Sequence, residues 1–188
     1  MSDFAPRYLA DYSESNFSIS TVELDFKLDE TKTRVTNRMK MTRKVATKDP
    51  LVLDGEHLTL LSVLIDDEIL SSDDYQLSDN SLSLLVDKAE FTLEIITEIN
   101  PLDNTALEGL FKSGDAYCTQ CEAEGFRRIS YYLDRPDIMA TFSTKVIADK
   151  EKFPFLLSNG NKVAEGDLPS GQHFVQWHDP FPKPCYLF

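Results

Sequence analysis

Alternation with a period of two most constrains how this chain can fold. Val22, Leu24, Phe26 and Leu28 interleave with Glu23, Asp25 and Lys27, the pattern of a strand with one buried and one solvated face. Asp29-Glu30-Thr31-Lys32 supplies a turn, and the returning strand puts Val35, Met39 and Met41 on one face and Lys32, Arg34, Arg38 and Lys40 on the other. That basic row is an anion-site candidate, but a solvated strand face explains it as well. The rhythm repeats at short intervals: Leu51-Val52-Leu53, then Leu58 to Ile65 (apolar enough for a central strand), an Asp66-Asp67 turn into Ile69-Leu70, Tyr75 to Leu77, Leu82 to Val86, and Phe91-Leu93-Ile95. It resumes at Ala140-Phe142-Thr144 through Val146-Ile147, at Phe155 to Leu157 and Val163 around the turn signal Asn159-Gly160, and at Phe174 to Trp177. Many short strands punctuated by turns predict an all-β sandwich, mostly antiparallel. The interruption lies between Leu102 and Asp137, where one short helix is expected near residues 124–133 from Phe126, Ile129 and Leu133, stopped by Arg135-Pro136. Cys185-Tyr186-Leu187-Phe188 looks like the start of a further apolar strand, which suggests a polypeptide that continues.

At 188 residues the chain is expected to form one domain over 1–188 with its own core. Its 41% hydrophobic content excludes a disordered class. A formal net charge of −13 opposes nucleic acid or an anionic membrane as partner and favours cationic ligands. No apolar run approaches the roughly 20 residues of a transmembrane helix, and the first residues show no signal-peptide core. Three cysteines, an odd number, do not suggest a disulfide framework. A cytoplasmic protein is the expectation.

Cys118-Thr-Gln-Cys121 is half of a zinc knuckle or a redox pair by spacing, but no second knuckle accompanies it and the βαβ context of a redox site is missing. Two small residues packed in a loop is the plainer account. His173 and His178, five apart on a predicted strand, are expected on opposite faces, without a neighbouring nucleophile. Asp179-Pro-Phe-Pro-Lys-Pro184 fits a rigid connection or a short polyproline ligand. Gln120, Glu122 and Glu124 carry more chemistry. On an extended segment alternate residues share a face, and carboxylates beside an amide suit a cationic amine through charge-assisted hydrogen bonds. The alternative is an acidic surface loop.

Asn104-Thr-Ala-Leu-Glu-Gly-Leu110, Cys118-Thr-Gln-Cys-Glu-Ala-Glu-Gly-Phe-Arg127, Tyr131-Tyr-Leu-Asp-Arg-Pro-Asp137, Ile147-Ala-Asp-Lys150, Phe153-Pro-Phe-Leu-Leu-Ser-Asn-Gly-Asn161 and Asp179-Pro-Phe-Pro-Lys-Pro-Cys-Tyr-Leu-Phe188 together resemble the N-terminal domain of the bacterial aminopeptidase N family, gluzincin-type zinc aminopeptidases. Before Asn104 the likeness is mainly one of pattern, anchored by Tyr12 and Leu53-Asp54-Gly55-Glu56. The resemblance implies a saddle-like β-sandwich packed on a catalytic domain of the same polypeptide, and removal of single residues from peptide N-termini. By motif, Glu122 is implied to bind the substrate α-amino group, Gln120 to line the pocket for the first side chain, and Glu124 to support them. The zinc ligands of HExxH and the distal glutamate, and the GAMEN segment, are absent from these 188 residues. No catalytic residue and no metal ligand is therefore expected in this chain, and zinc is implied only for the full-length enzyme. The rival expectation is a free-standing β-sandwich module that binds a peptide or glycan through the same acidic loop.

Overall fold

The computed structural model describes residues 8–188. Among the described residues there are thirteen strands: β1 (Phe17–Lys27), β2 (Thr33–Arg43), β3 (Leu51–Asp54), β4 (Thr59–Ile65), β5 (Glu68–Ile69), β6 (Tyr75–Leu77), β7 (Ser81–Leu84), β8 (Glu90–Ile99), β9 (Gly109–Ser113), β10 (Ala116–Gln120), β11 (Ala140–Asp149), β12 (Asn161–Asp167) and β13 (Gln172–Lys183). Eight of them form one sheet in the order β12-β13-β11-β1-β2-β8-β4-β5, with a three-stranded sheet β3-β7-β6 and a hairpin β10-β9 beside it. Pairing is antiparallel except between β1 and β11, which run parallel. The all-β, mostly antiparallel expectation holds.

The sequence alternation dictates which face is buried. Phe17, Ile19, Val22, Leu24 and Phe26 of β1 point inward, a bulge between Ile19 and Thr21 keeping both halves of the strand in phase. Val35, Met39 and Met41 of β2, Leu93 and Ile95 of β8, and Phe142 and Ala148 of β11 complete the inner face. Leu51, Leu53, Leu82 and Leu84 of the small sheet join the same core. The basic row of β2 lies on the other face, where Arg38 meets Asp67 at 2.7 Å and Glu94 at 3.0 Å. Arg38 is thus neutralised by its own sheet. The Asp66-Asp67 turn has both residues at positive φ (51° and 68°), the geometry that a two-residue hairpin of this twist demands.

Several expectations are corrected. β4 is the penultimate strand rather than a central one, and only Val63 of it is buried. The helix expected over 124–133 is a single 3-10 turn, Phe126–Arg128. Phe126, Ile129 and Leu133 are buried as their spacing suggested, but Tyr132 exchanges two backbone hydrogen bonds with Asp54, at 2.8 and 3.0 Å, and that ladder contact requires extended backbone. Residues 155–157 form no strand; β12 pairs with β13 instead. The carbonyls around them are taken by side chains, Phe153 O by His173 Nε2 (2.7 Å) and Leu156 O by Trp177 Nε1 (3.1 Å). The proline-rich segment forms the end of β13, still paired with β11 at Lys183–Ala140. Cys185–Leu187 is a 3-10 turn, not a strand, and it swings Phe188 onto Phe26 and Phe126 at centroid distances of 5.9 and 5.5 Å.

Candidate functional site: an acidic loop anchored on two sheets

β10 ends at Gln120, so the segment carrying the predicted residues is extended only up to that point; residues 122–125 form turns. The shared face expected from strict alternation therefore stops at Gln120, whose side-chain amide donates to the Glu122 carbonyl at 3.4 Å. Gln120, Glu122 and Glu124 are all exposed, whereas Cys121, Gly125 and Phe126 between and after them are buried. The loop is an acidic rim on an apolar base.

Two glycines let that rim sit close to the protein. A Cβ on Gly125 would lie 2.5 Å from Gln120 O, 2.9 Å from Cys121 Cα and 3.0 Å from Gly109 N, all backbone atoms that cannot yield. Gly109, paired with Gln120 across the hairpin, has φ +72°, a conformation that side chains rarely adopt. The Gly125 N–H donates to Cys121 O at 2.9 Å, and the Arg128 N–H to Gly125 O at 3.1 Å, closing the turn.

Behind the rim, the chain is tied to both sheets. Asn37 of β2 donates to Ser130 Oγ (3.2 Å) and Tyr131 O (3.4 Å), and Thr97 of β8 donates to Ile129 O (3.1 Å). These are polar residues on a largely apolar face, and the 129–131 segment takes up the Thr97 hydroxyl and the Asn37 amide N–H groups, while Asn37 Oδ1 is buried without a partner. From the small-sheet side the Glu56 N–H donates to Arg127 O at 2.9 Å. Arg127 is the hub. Its Nε lies 2.8 Å and its backbone N 3.2 Å from Asp134 Oδ2, while the outer end of its guanidinium lies 3.6 Å from Glu124 and 3.9 Å from Glu56. Burial alone would lower the Arg127 pKa, but the hydrogen bond and charge of Asp134 outweigh it and hold the guanidinium above its ordinary value. Burial raises the Asp54 carboxyl, against the opposing pull of Arg127. Arg128 is held by Glu56 at 2.9 Å and Glu108 at 3.1 Å. Among the described residues no cation lies in ion-pair range of Glu122.

Glu56, Glu108, Arg127, Arg128 and Asp134 were not singled out from the sequence. Their pairings run between different elements, Arg128 with Glu56 and Glu108 and Arg127 with Asp134, and no local pattern marks them. The other candidates do not join the loop. Cys118, Cys121 and Cys185 are free thiols, and burial pushes Cys121 up to about 12, which makes it a poor nucleophile and a poor metal ligand at neutral pH. His173 and His178 sit on opposite faces of β13, as expected, His173 buried on Phe153 O and His178 2.9 Å from Ser143 Oγ. The described side chains bring together no group of three or more His, Cys, Asp and Glu suited to a metal. A cavity of about 430 Å³ opens between β10 and the 152–159 loop, and one of about 270 Å³ lies beside Asn104 and Arg128. Neither is lined by Gln120, Glu122 or Glu124, which are exposed.

These features define a class: an all-β domain that displays an exposed acidic loop fixed from behind. The sequence profile of the peptidase M1 N-terminal domain matches residues 12–187, and the chain belongs to that family. Aminopeptidase N of Escherichia coli (strain K12) is 55% identical over 182 residues, an alignment that covers 97% of this chain and 21% of that protein. The Haemophilus influenzae aminopeptidase N is 49% identical over 185 residues, again covering 97% and 21%. In three dimensions the chain resembles Legionella pneumophila aminopeptidase A, solved with aspartic acid, with a TM-score of 0.91 and 35% identity over 97% of this chain and 22% of that one. The M1 zinc metallopeptidase of Deinococcus radiodurans shares the fold at 14% identity, with a TM-score of 0.74 over 92% of this chain and 41% of its own. The chain thus spans about a fifth of the length of the curated relatives.

Proposed function

We propose that this domain is the amine-recognising part of a zinc-dependent aminopeptidase that removes single residues from peptide N-termini, with Glu122 as the carboxylate that receives the substrate α-ammonium. The observation that carries the reading is the asymmetry within the acidic rim. Glu124 has Arg127 at 3.6 Å, whereas Glu122 has no cation beside it among the described residues, on a backbone held from both sides. A peptide N-terminus, with an ordinary pKa of about 7.7–8.0, is mostly protonated at neutral pH and supplies the missing cation. Its hydrogen bond to a carboxylate is charge-assisted. A peptide interior has no ammonium, so the same contact selects chain ends and makes the enzyme an exopeptidase. Gln120, beside Glu122 at the end of β10, lines the pocket for the first side chain, and Glu124 supports the rim.

Zinc in the intact enzyme would lie outside this domain, since the described residues bring together no ligand set for it, and the domain by itself is expected to hydrolyse nothing. The partner is the catalytic domain of the same polypeptide, and the exposed Phe155 and Leu157 supply apolar surface for such a neighbour. A cytoplasmic location is supported by the odd number of cysteines, all free thiols. No helix among the described residues is long and apolar enough to cross a membrane.

The test is Glu122→Ala in the intact enzyme. Loss of a charge-assisted contact should cost about 1.5–3 kcal/mol, a roughly tenfold to hundredfold fall in kcat/KM on a short peptide with a free N-terminus. An unchanged kcat/KM would remove the role given to Glu122.

A further inference from the structure

Between the acidic rim and the core stands the ion pair of Arg127 and Asp134. The Asp134 carboxylate is 1% exposed and the Arg127 side chain 16%. Asp134 Oδ2 accepts from both the Arg127 side chain and its backbone N–H, and the Asp134 carbonyl accepts from the same guanidinium at 3.4 Å. Its other oxygen accepts from Cys185 Sγ at 3.1 Å, and its own N–H donates to Asp54 Oδ2 at 3.3 Å. The carboxylate is therefore fixed from several directions, and it fixes Arg127 in turn. The far end of that guanidinium reaches Glu124 and Glu56. Only Gly125 and Phe126 separate Arg127 from Glu124, and Gly125 is wedged against the backbone of Gln120 and Cys121. A displaced Arg127 would drag this tight turn with it.

We infer that Asp134 is a positioning residue for amine recognition: through Arg127 it holds the 121–128 turn and keeps Glu124 engaged, so that Glu122 is the carboxylate presented to the substrate ammonium. The inference rests on the assignment of the amine to Glu122. It gives the pair a task beyond stability, because a buried ion pair is weak evidence for stability on its own.

The experiment is a double-mutant cycle in the intact enzyme, with Asp134→Asn, Glu122→Ala and both together. Asparagine keeps the shape and one acceptor oxygen but loses the charge that orients the guanidinium. Asp134→Asn is expected to raise KM for a free-amine peptide about tenfold while kcat changes by less than about threefold, and to alter KM by less than about twofold when Glu122 is already alanine. Should Asp134→Asn not fold by circular dichroism, Arg127→Met/Asp134→Leu removes both charges at once, a replacement that buried pairs often tolerate, and the same cycle is read on it. A KM loss that persists in full in the Glu122→Ala background overturns the positioning role while leaving Glu122 its own. So does a wild-type KM in either folded variant. If Glu122→Ala alone has no effect, the amine assignment fails first and the inference falls with it.

Discussion

Phe126→Ala is expected to destabilise the domain by about 3–5 kcal/mol. Phe126 is fully buried and meets three other rings, 4.7 Å from Tyr132, 5.5 Å from Phe188 and 6.2 Å from Phe142 between centroids. Truncation removes its own buried surface and the edge-to-face contacts. It also leaves a void whose walls are poorly free to collapse, since β11 is locked in the large sheet and Tyr132 is bridged to Asp54. Urea unfolding reads the effect as a lower midpoint at unchanged slope. In a domain of this size each kcal/mol moves the thermal midpoint by roughly 2–4 °C, so the melt should shift by on the order of 10 °C. A loss below about 1 kcal/mol would mean that the ring cluster does not hold the loop to the core.

Asp134→Ala should cost a similar amount, near the lower end of the 3–5 kcal/mol expected for breaking a buried pair. Its partner Arg127 would be left mostly buried without the contacts to its Nε and backbone N–H. Glu124 and Glu56, at 3.6 and 3.9 Å, would compensate in part, which is why the lower end is expected. The control is Arg127→Met/Asp134→Leu, which leaves no stranded charge and should recover most of the loss in the same urea titration. Equal destabilisation in both would show that shape at this point matters more than charge.

The architecture was largely legible in the alternation of apolar residues because the central strands β1, β2, β8 and β11 of the large sheet each have one buried and one wetter face. Phe17 to Lys27 and Thr33 to Arg43 show their inward and outward sides without help from the rest of the chain. What sequence patterning misses is whatever depends on distant partners. The parallel β1–β11 pairing joins Thr21 to Thr141 and leaves no local mark. The spacing of Phe126, Ile129 and Leu133 correctly marks burial, yet it mimics a helix because a tight turn followed by a bridged residue can bury the same three positions. Leu58 to Ile65 is apolar for a different reason: β4 lies near the sheet edge with most side chains half exposed. At the site, Gln120, Glu122 and Glu124 stand out as polar chemistry on an apolar background. The parts that hold them do not: Asn37 and Thr97 look like ordinary strand residues, and their purpose appears only when the 129–131 backbone lies across them. The environment of Glu124 is likewise invisible to local patterning: Arg127 lies 3.6 Å from it and is itself bonded to Asp134 at 2.8 Å.

The central claim, that Glu122 reads the substrate ammonium, is tested most directly by the affinity of the intact enzyme for two small inhibitors. One is an amino acid amide and the other its des-amino analogue, identical except for hydrogen in place of the ammonium. The wild-type enzyme should bind the amine tenfold to hundredfold more tightly, and Glu122→Ala should narrow that preference by at least about tenfold while leaving the des-amino analogue's affinity nearly unchanged. An undiminished preference in Glu122→Ala would contradict the account, because the ammonium would then be held by some other group.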